Sequence, residues 1–300
     1  MRGVWTALIT PFTPNREIDW AAFKTLLEDQ ESAQVAGVIP CGTTGESPTL
    51  SLAEKKQLIE FTKKELVGTS VQIVAGTGSN DTAESIALSA WASSLGVDGI
   101  LVVTPYYNKP SQSGLELHYR AIADKVSCPV VLYNVPGRTG VSLAPETVTR
   151  LASHPNIRAI KEATGNTAIS SEIIEQLAFA GVKMDVLSGD DATYLPLLSA
   201  GGCGVISVAS NLFPRAMVAL QRAWETGNVS AAMEIHRRFY PLFRDLFVES
   251  NPGPIKAAMK FVGLCDSGLR PPLAPLSSGS ESKLLASLSR CGLQSNGGTL

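Results

Sequence analysis

The chain has 300 residues, 44% of them hydrophobic, and a formal net charge of −2. That length allows one large α/β domain or two smaller ones around a substantial core, and the scattered basic residues leave no electrostatic footprint for nucleic acid or an anionic membrane surface. The five cysteines, Cys41, Cys128, Cys203, Cys265 and Cys291, are too dispersed for a disulfide framework or a zinc site, so the expected partners are small molecules and the expected compartment is the cytoplasm.

Along the chain, the apolar run in "MRGVWTALITPFTP" is too short for a signal segment or a membrane span and reads as a first strand. Strand candidates follow at 3–10, 37–42, 71–76, 99–104, 129–135, 157–162, 184–188 and 204–209. Seven amphipathic stretches lie between them and an eighth follows the last. Helix starts are signalled by Asp19, by Ser51 with Glu54 three residues on, and by Pro145. Gly68, Gly96 and Gly181 mark helix ends. Continuous apolar strands suit a parallel sheet buried on both faces, and eight βα units predict a (β/α)₈ TIM barrel over 1–226. An open doubly wound sheet competes, but the first βα turn lacks G-x-G-x-x-G. From 227 to 293 the pattern changes to three helical segments without strands, a helical C-terminal extension. The stretch "QSNGGTL" at 294–300 has the composition of a disordered tail.

In such a barrel the active site is built at the C-terminal strand ends, and the unusual residues fall there. Thr43 and Thr44 follow the second strand in "CGTTGES", Tyr106 and Tyr107 the fourth in "TPYYNKP", and Tyr133, Asn134 and Arg138 close the fifth in "LYNVPGRTG". Lys161 and Glu162 end the sixth, Asp190 and Asp191 follow the seventh, and Ser207 lies in the eighth.

Lys161 faces the barrel interior if Ala159 does. A partly desolvated amine there suggests imine formation with a carbonyl substrate, although an ion pair with Glu162 or with a loop carboxylate explains the same lysine. Imine chemistry also needs a proton shuttle. Tyr133 on the adjacent strand end suits that role, and is equally open to reading as a tethered core tyrosine. Thr43 could pass a proton onward. Gly42 and Gly45 would let the backbone approach a carboxylate held by Thr44, or "GTTG" is an ordinary βα turn. Arg138, in a Pro-Gly loop, is either a carboxylate fork or a solvated arginine. His118, His154 and His236 fall on helices or their ends, away from the strand mouths, so neither histidine catalysis nor a metal site is expected.

Taken in order, "GTTGES" at 42–47, "TPYYNKPSQ" at 104–112, "LYNVPGRTG" at 132–140, "IKEATGN" at 160–166, "LSGDDA" at 187–192, "GVISVAS" at 204–210 and "FVESNPGPIKAAM" at 247–259 resemble the dihydrodipicolinate synthase family over 3–293. The resemblance implies a lysine-dependent class I aldolase, homotetrameric, without a cofactor, joining pyruvate to aspartate 4-semialdehyde. It implies that Lys161 forms the imine and that Thr44, with the Ile206 region, Gly189 and Asp190, holds substrate. Tyr133, Thr43 and Tyr107 resemble a proton relay in which Tyr107 reaches a neighbouring subunit, and Arg138 resembles the receiver of the semialdehyde carboxylate. The rival within the superfamily is an N-acetylneuraminate lyase type of aldolase, against which "GRTG" and "PYYN" favour the synthase.

Ser47, Asn80, Glu84 and Tyr106 match the inhibitory lysine site of lysine-sensitive members. Pro48, Leu52 and Lys55 depart from it, replacing an alanine and two histidines, and Lys55 places a like charge near a cationic ligand. The resemblance therefore implies weak or absent inhibition by lysine.

Overall fold

The structure is a computed structural model that describes residues 1–293; the tail predicted at 294–300 lies outside the described residues. Eight strands, β1 (Gly3–Ala7), β2 (Gly37–Ile39), β3 (Gln72–Gly76), β4 (Gly99–Val103), β5 (Val130–Asn134), β6 (Ile157–Glu162), β7 (Asp185–Ser188) and β8 (Gly204–Ser207), follow one another in sequence order around a closed barrel. The helices are α1 (Trp20–Ser32), α2 (Leu52–Glu65), α3 (Thr82–Ser94), α4 (Gln112–Ala123), α5 (Pro136–Thr139), α6 (Pro145–Ala152), α7 (Thr167–Phe179), α8 (Tyr194–Ser199), α9 (Pro214–Glu225), α10 (Val229–Asp245), α11 (Gly253–Phe261) and α12 (Ser278–Arg290). The predicted (β/α)₈ barrel and its helical C-terminal extension are both present. Among the described residues no helix is long and apolar enough to cross a membrane.

The local signals act as their chemistry requires. Asp19 caps α1 by accepting from Ala22 N–H, Ser51 and Glu54 close a reciprocal capping box on α2, and Pro145 opens α6. Gly68, Gly96 and Gly181 all take positive φ just past a helix, where a side chain would be strained. Seven of the eight strands are shorter than predicted because apolar character outlasts the ladder, and β6 alone keeps its predicted bounds, 157–162. Leu8 and Ile9 are 1% and 0% exposed yet follow the end of β1. Burial thus continues into the segments that carry the chain off the sheet.

By contact the chain divides into two compact units, residues 1–3 with 72–206, and residues 4–71 with 207 onward. In the first, β3 to β8 pair in parallel, with one shift of register between Val130 and Val131 where β5 meets β6. All five residues of β5 are buried, as a strand covered on both faces must be. In the second, β1 pairs with β2 through Trp5↔Gly37. There α10 and α12 are joined by Ser287, whose hydroxyl donates to Asp245 at 2.5 Å, and Phe213 stacks edge-on against Phe239 at 4.9 Å.

Gly204 opens β8 where Gly3 crosses it. A Cβ on Gly204 would lie 2.2 Å from the Gly3 carbonyl oxygen and 2.8 Å from its nitrogen. Both are backbone atoms, and Gly3 N–H already donates to Cys203 O at 3.0 Å. We expect Gly204→Ala to destabilise the fold by about 2–3 kcal/mol through overpacking, read from the shift in urea midpoint; a midpoint equal to the parent's would refute the close packing of these two backbones.

Candidate active site

The last two residues of β6, Lys161 and Glu162, are both buried, at 4% and 3% exposure. Neighbouring strand residues point to opposite faces, and Glu162 takes the helix side. Its carboxylate accepts from Thr164 N–H at 3.0 Å, the Thr164 hydroxyl at 2.9 Å, the Ser170 hydroxyl of α7 at 3.2 Å and the Asn134 amide at 3.4 Å. Burial pushes the Glu162 carboxyl up, and these donors oppose the shift. The carboxylate is committed to that face. Pairing with Glu162 therefore does not account for Lys161, and among the described residues no carboxylate oxygen lies within 4.0 Å of its ammonium.

What Lys161 does meet is Tyr133. The two are register partners on β6 and β5, and the lysine Nζ lies 4.2 Å from the centroid of the tyrosine ring, a cation–π approach. Room for the lysine chain comes from Gly189, just past β7. A Cβ there would stand 2.5 Å from Ala163 Cβ and 3.0 Å from Lys161 Cε, so only glycine leaves the lysine its path. Gly189 N–H donates to Glu162 O at 2.7 Å, which fixes that backbone in place.

The remaining predicted residues of this unit are distributed around the strand ends. Asp190 spends one carboxylate oxygen on Ala192 N–H at 2.9 Å, capping a short 3₁₀ turn; burial raises its pKa, against that bond and the positive charge of Lys161. Ile206 is fully buried in β8. Arg138 is exposed and stands on α5, a one-turn helix closed by Gly140 at φ 71, where a loop was expected; Pro136 presets the first helical φ and so turns the loop into a helix. Tyr107 is 89% exposed at φ 72 and Tyr106 is 36% exposed. Asn80 accepts through its carbonyl from Asn108 Nδ2 at 2.8 Å, and Glu84 lies in the first turn of α3.

In the other unit, the turn 42–47 is drawn tight by Gly45 N–H to Gly42 O at 3.1 Å and Glu46 N–H to Thr43 O at 3.0 Å. Thr43 is half-buried and Thr44 is 2% exposed. Two non-glycine residues are left-handed here, Cys41 just before the turn at φ 60 and Glu46 within it at φ 55, conformations that need outside support. For Glu46 the support is an ion pair with Lys256 of α11, both side chains fully buried, and the Arg270 N–H at 3.1 Å. Lys256 also donates to Gly268 O at 2.8 Å and lies 4.1 Å above the Phe12 ring. Burial lowers the pKa of Lys256 and Glu46 works against that. Ser47 follows in a 3₁₀ turn. Burial pushes the Cys41 thiol up to about 12, which leaves it protonated, a space-filling group and not a nucleophile.

Sequence reasoning missed this support. Asn251 and Lys256 lie in "FVESNPGPIKAAM", which carried the family resemblance without a role. A lysine in the apolar stretch "GPIKAAM" was the available signal. Asn251 donates from Nδ2 to the Thr44 hydroxyl oxygen at 2.9 Å, with both residues buried.

Residues 1–291 match the dihydrodipicolinate synthetase family. The 4-hydroxy-tetrahydrodipicolinate synthase of Leptospira biflexa is 51% identical over 282 residues, 94% of each chain. Among solved structures, the enzyme of that name from the methanotroph Methylacidiphilum fumariolicum SolV superposes with a TM-score of 0.94 at 48% identity, covering 97% of this chain and 96% of its own. A monomeric dihydrodipicolinate synthase variant superposes at 0.95 with 41% identity, over 98% of both chains.

Arg270, whose N–H meets Glu46 of the turn 42–47, also grips Glu54 of α2 with two nitrogens, at 2.6 and 3.0 Å. These bonds hold the Glu54 carboxyl at about 2, well below its usual 4.5. A carboxylate with a depressed folded pKa adds stability above its unfolded pKa and loses it as the pH falls through the folded value. Glu54→Gln should therefore cost about 1–2 kcal/mol at neutral pH, the pair being only partly buried. The difference from the parent should fade between pH 4.5 and about 2, as read from urea midpoints across that range. A cost independent of pH would mean that the ion pair does not form.

Proposed function

The chain belongs to the dihydrodipicolinate synthetase family, and on that premise we propose that Lys161 is the nucleophile with which it condenses pyruvate and L-aspartate 4-semialdehyde to 4-hydroxy-tetrahydrodipicolinate. The observation that carries this assignment is the ammonium of Lys161, buried at a strand end against Tyr133 with its neighbouring carboxylate engaged elsewhere. The Lys161 amine adds to the pyruvate ketone and water leaves, giving an imine. Loss of a methyl proton yields the enamine, whose carbon attacks the semialdehyde carbonyl. The amine of the acceptor then displaces lysine by cyclisation, which regenerates the enzyme.

Tyr133 is the proton shuttle in this reading, since a phenol both gives and accepts. Thr43 and Tyr107 extend the relay, Thr44 with Ile206, Gly189 and Asp190 receives pyruvate, and Arg138 receives the acceptor's carboxylate. Tyr107 serves a neighbouring subunit of a cytoplasmic homotetramer; its outward presentation, at 89% exposure, supports that role. The synthase names of the relatives favour this over an N-acetylneuraminate lyase activity.

Borohydride reduction in the presence of pyruvate should add one pyruvate per chain, on the peptide that contains Lys161, and Lys161→Ala should abolish both adduct and turnover. Tyr133→Phe should lower kcat by about 10²–10⁴-fold, the range for a lost proton donor. A folded protein that takes up no pyruvate would overturn the assignment.

We also propose that Ser47, Asn80, Glu84 and Tyr106 are remnants of a regulatory site disabled by Pro48, Leu52 and Lys55. Steady-state rates should then be insensitive to L-lysine up to millimolar concentration, and half-inhibition below that would sink the proposal.

A further inference from the structure

The segment that opens α11 is tied twice to the turn 42–47. Asn251 Nδ2 donates to the Thr44 hydroxyl oxygen at 2.9 Å, and five residues on, Lys256 donates to the carboxylate of Glu46. Thr44 and Glu46 are two residues apart, so two adjacent points of one turn are held by two points of one helix start. All four residues are buried, none more than 4% exposed. Lys256 is in turn held by Gly268 O and Phe12, and Gly45, between the tied residues, gives its carbonyl to the Thr10 hydroxyl at 2.7 Å. The Thr44–Asn251 contact is thus part of a rigid frame and not a chance meeting of two loops.

A threonine hydroxyl has one proton to give and lone pairs to accept with. When Asn251 donates to the oxygen, the Thr44 proton is turned away from Asn251 and Thr44 is left to act as a donor. A carboxylate can only accept. A hydroxyl whose oxygen is already taken by an amide is therefore biased towards a carboxylate ligand and against a donor ligand such as an alcohol or an amide N–H. We infer that Asn251 is a positioning residue that fixes the Thr44 hydroxyl as a hydrogen-bond donor, and so helps set the preference of that turn for the carboxylate of a 2-keto acid. The inference rests on the assignment of Thr44 to pyruvate made above.

The test is a double-mutant cycle with kcat/KM determined separately for pyruvate and for aspartate semialdehyde. Asn251→Ala should lower kcat/KM for pyruvate by about 5–10-fold, the worth of one oriented hydrogen bond, and leave that for the semialdehyde unchanged. Asn251→Asp, of the same shape, replaces the donor with an acceptor that captures the Thr44 proton, and should lower kcat/KM for pyruvate further than alanine does. A packing role gives the opposite order, with alanine the worse. In a Thr44→Val background Asn251→Ala should have no further effect, because residues acting through one hydroxyl do not add. Equal losses for both substrates, or full additivity in the valine background, overturn the inference. If Thr44→Val alone leaves kcat/KM for pyruvate unchanged, the fault lies in the Thr44 assignment and the inference falls with it. Should Asn251→Ala fail to fold, the isosteric Asn251→Asp, made in the parent and in the Thr44→Val background, gives the same comparison.

Discussion

Successive residues of a strand face opposite sides of the sheet, and at the end of β6 that constraint separates a cation from an anion. Lys161 and Glu162 are adjacent in sequence and both buried, yet Glu162 turns to Thr164 and Ser170 of the helix layer while Lys161 turns to Tyr133. In a loop the same two side chains could meet and neutralise each other. The ladder forbids it, because Lys161 is held in register with Tyr133 on one side and Leu187 on the other. The reactivity assigned to the amine thus depends first on backbone hydrogen bonds. Gly189 completes the arrangement by leaving the space through which the lysine chain passes.

The turn 42–47 rests on a different device. Left-handed backbone at Cys41 and Glu46 costs on the order of 1–3 kcal/mol per residue and persists only where the surroundings over-determine it. A buried ion pair is weak evidence of net stability, since desolvation offsets most of the Coulombic gain. Its value here is geometric: the Glu46 carboxylate is held between Lys256 and the Arg270 N–H, which ties down a residue whose backbone is left-handed. Asn251 then meets Thr44 because the same helix start is already anchored.

Much of this was legible in the chain. Eight apolar runs at regular intervals announced the barrel, and the caps at Asp19, Ser51 and Pro145 located three helices within a residue. Most strand ends were overextended because an apolar run reads burial, and Leu8 and Ile9 stay buried past the end of β1, where Ile9 N–H already turns to the Asn211 side chain. Arg138 was assigned to a loop because a four-residue helix has no periodicity to detect. The tie between Thr44 and Asn251 spans 207 positions. No local pattern encodes a partner at that distance, and neither residue type is unusual enough alone to suggest one.

The same limit explains why burial alone does not single out the lysine proposed as the nucleophile. Among the described residues two lysines are buried, Lys161 at 4% and Lys256 at 0% exposure. Both sit over an aromatic ring, at 4.2 and 4.1 Å. An ammonium has three protons to place, and Lys256 gives one to Glu46 and another to Gly268 O. Its charge is balanced and two of its three protons are placed, so loss of a proton there would break an ion pair inside the protein. Lys161 makes no ion pair or hydrogen bond among the described residues, and its main contact is the ring of a tyrosine that can itself carry a proton. One lysine is thereby suited to hold a turn and the other to exchange its proton for a carbon bond, a difference made by their partners.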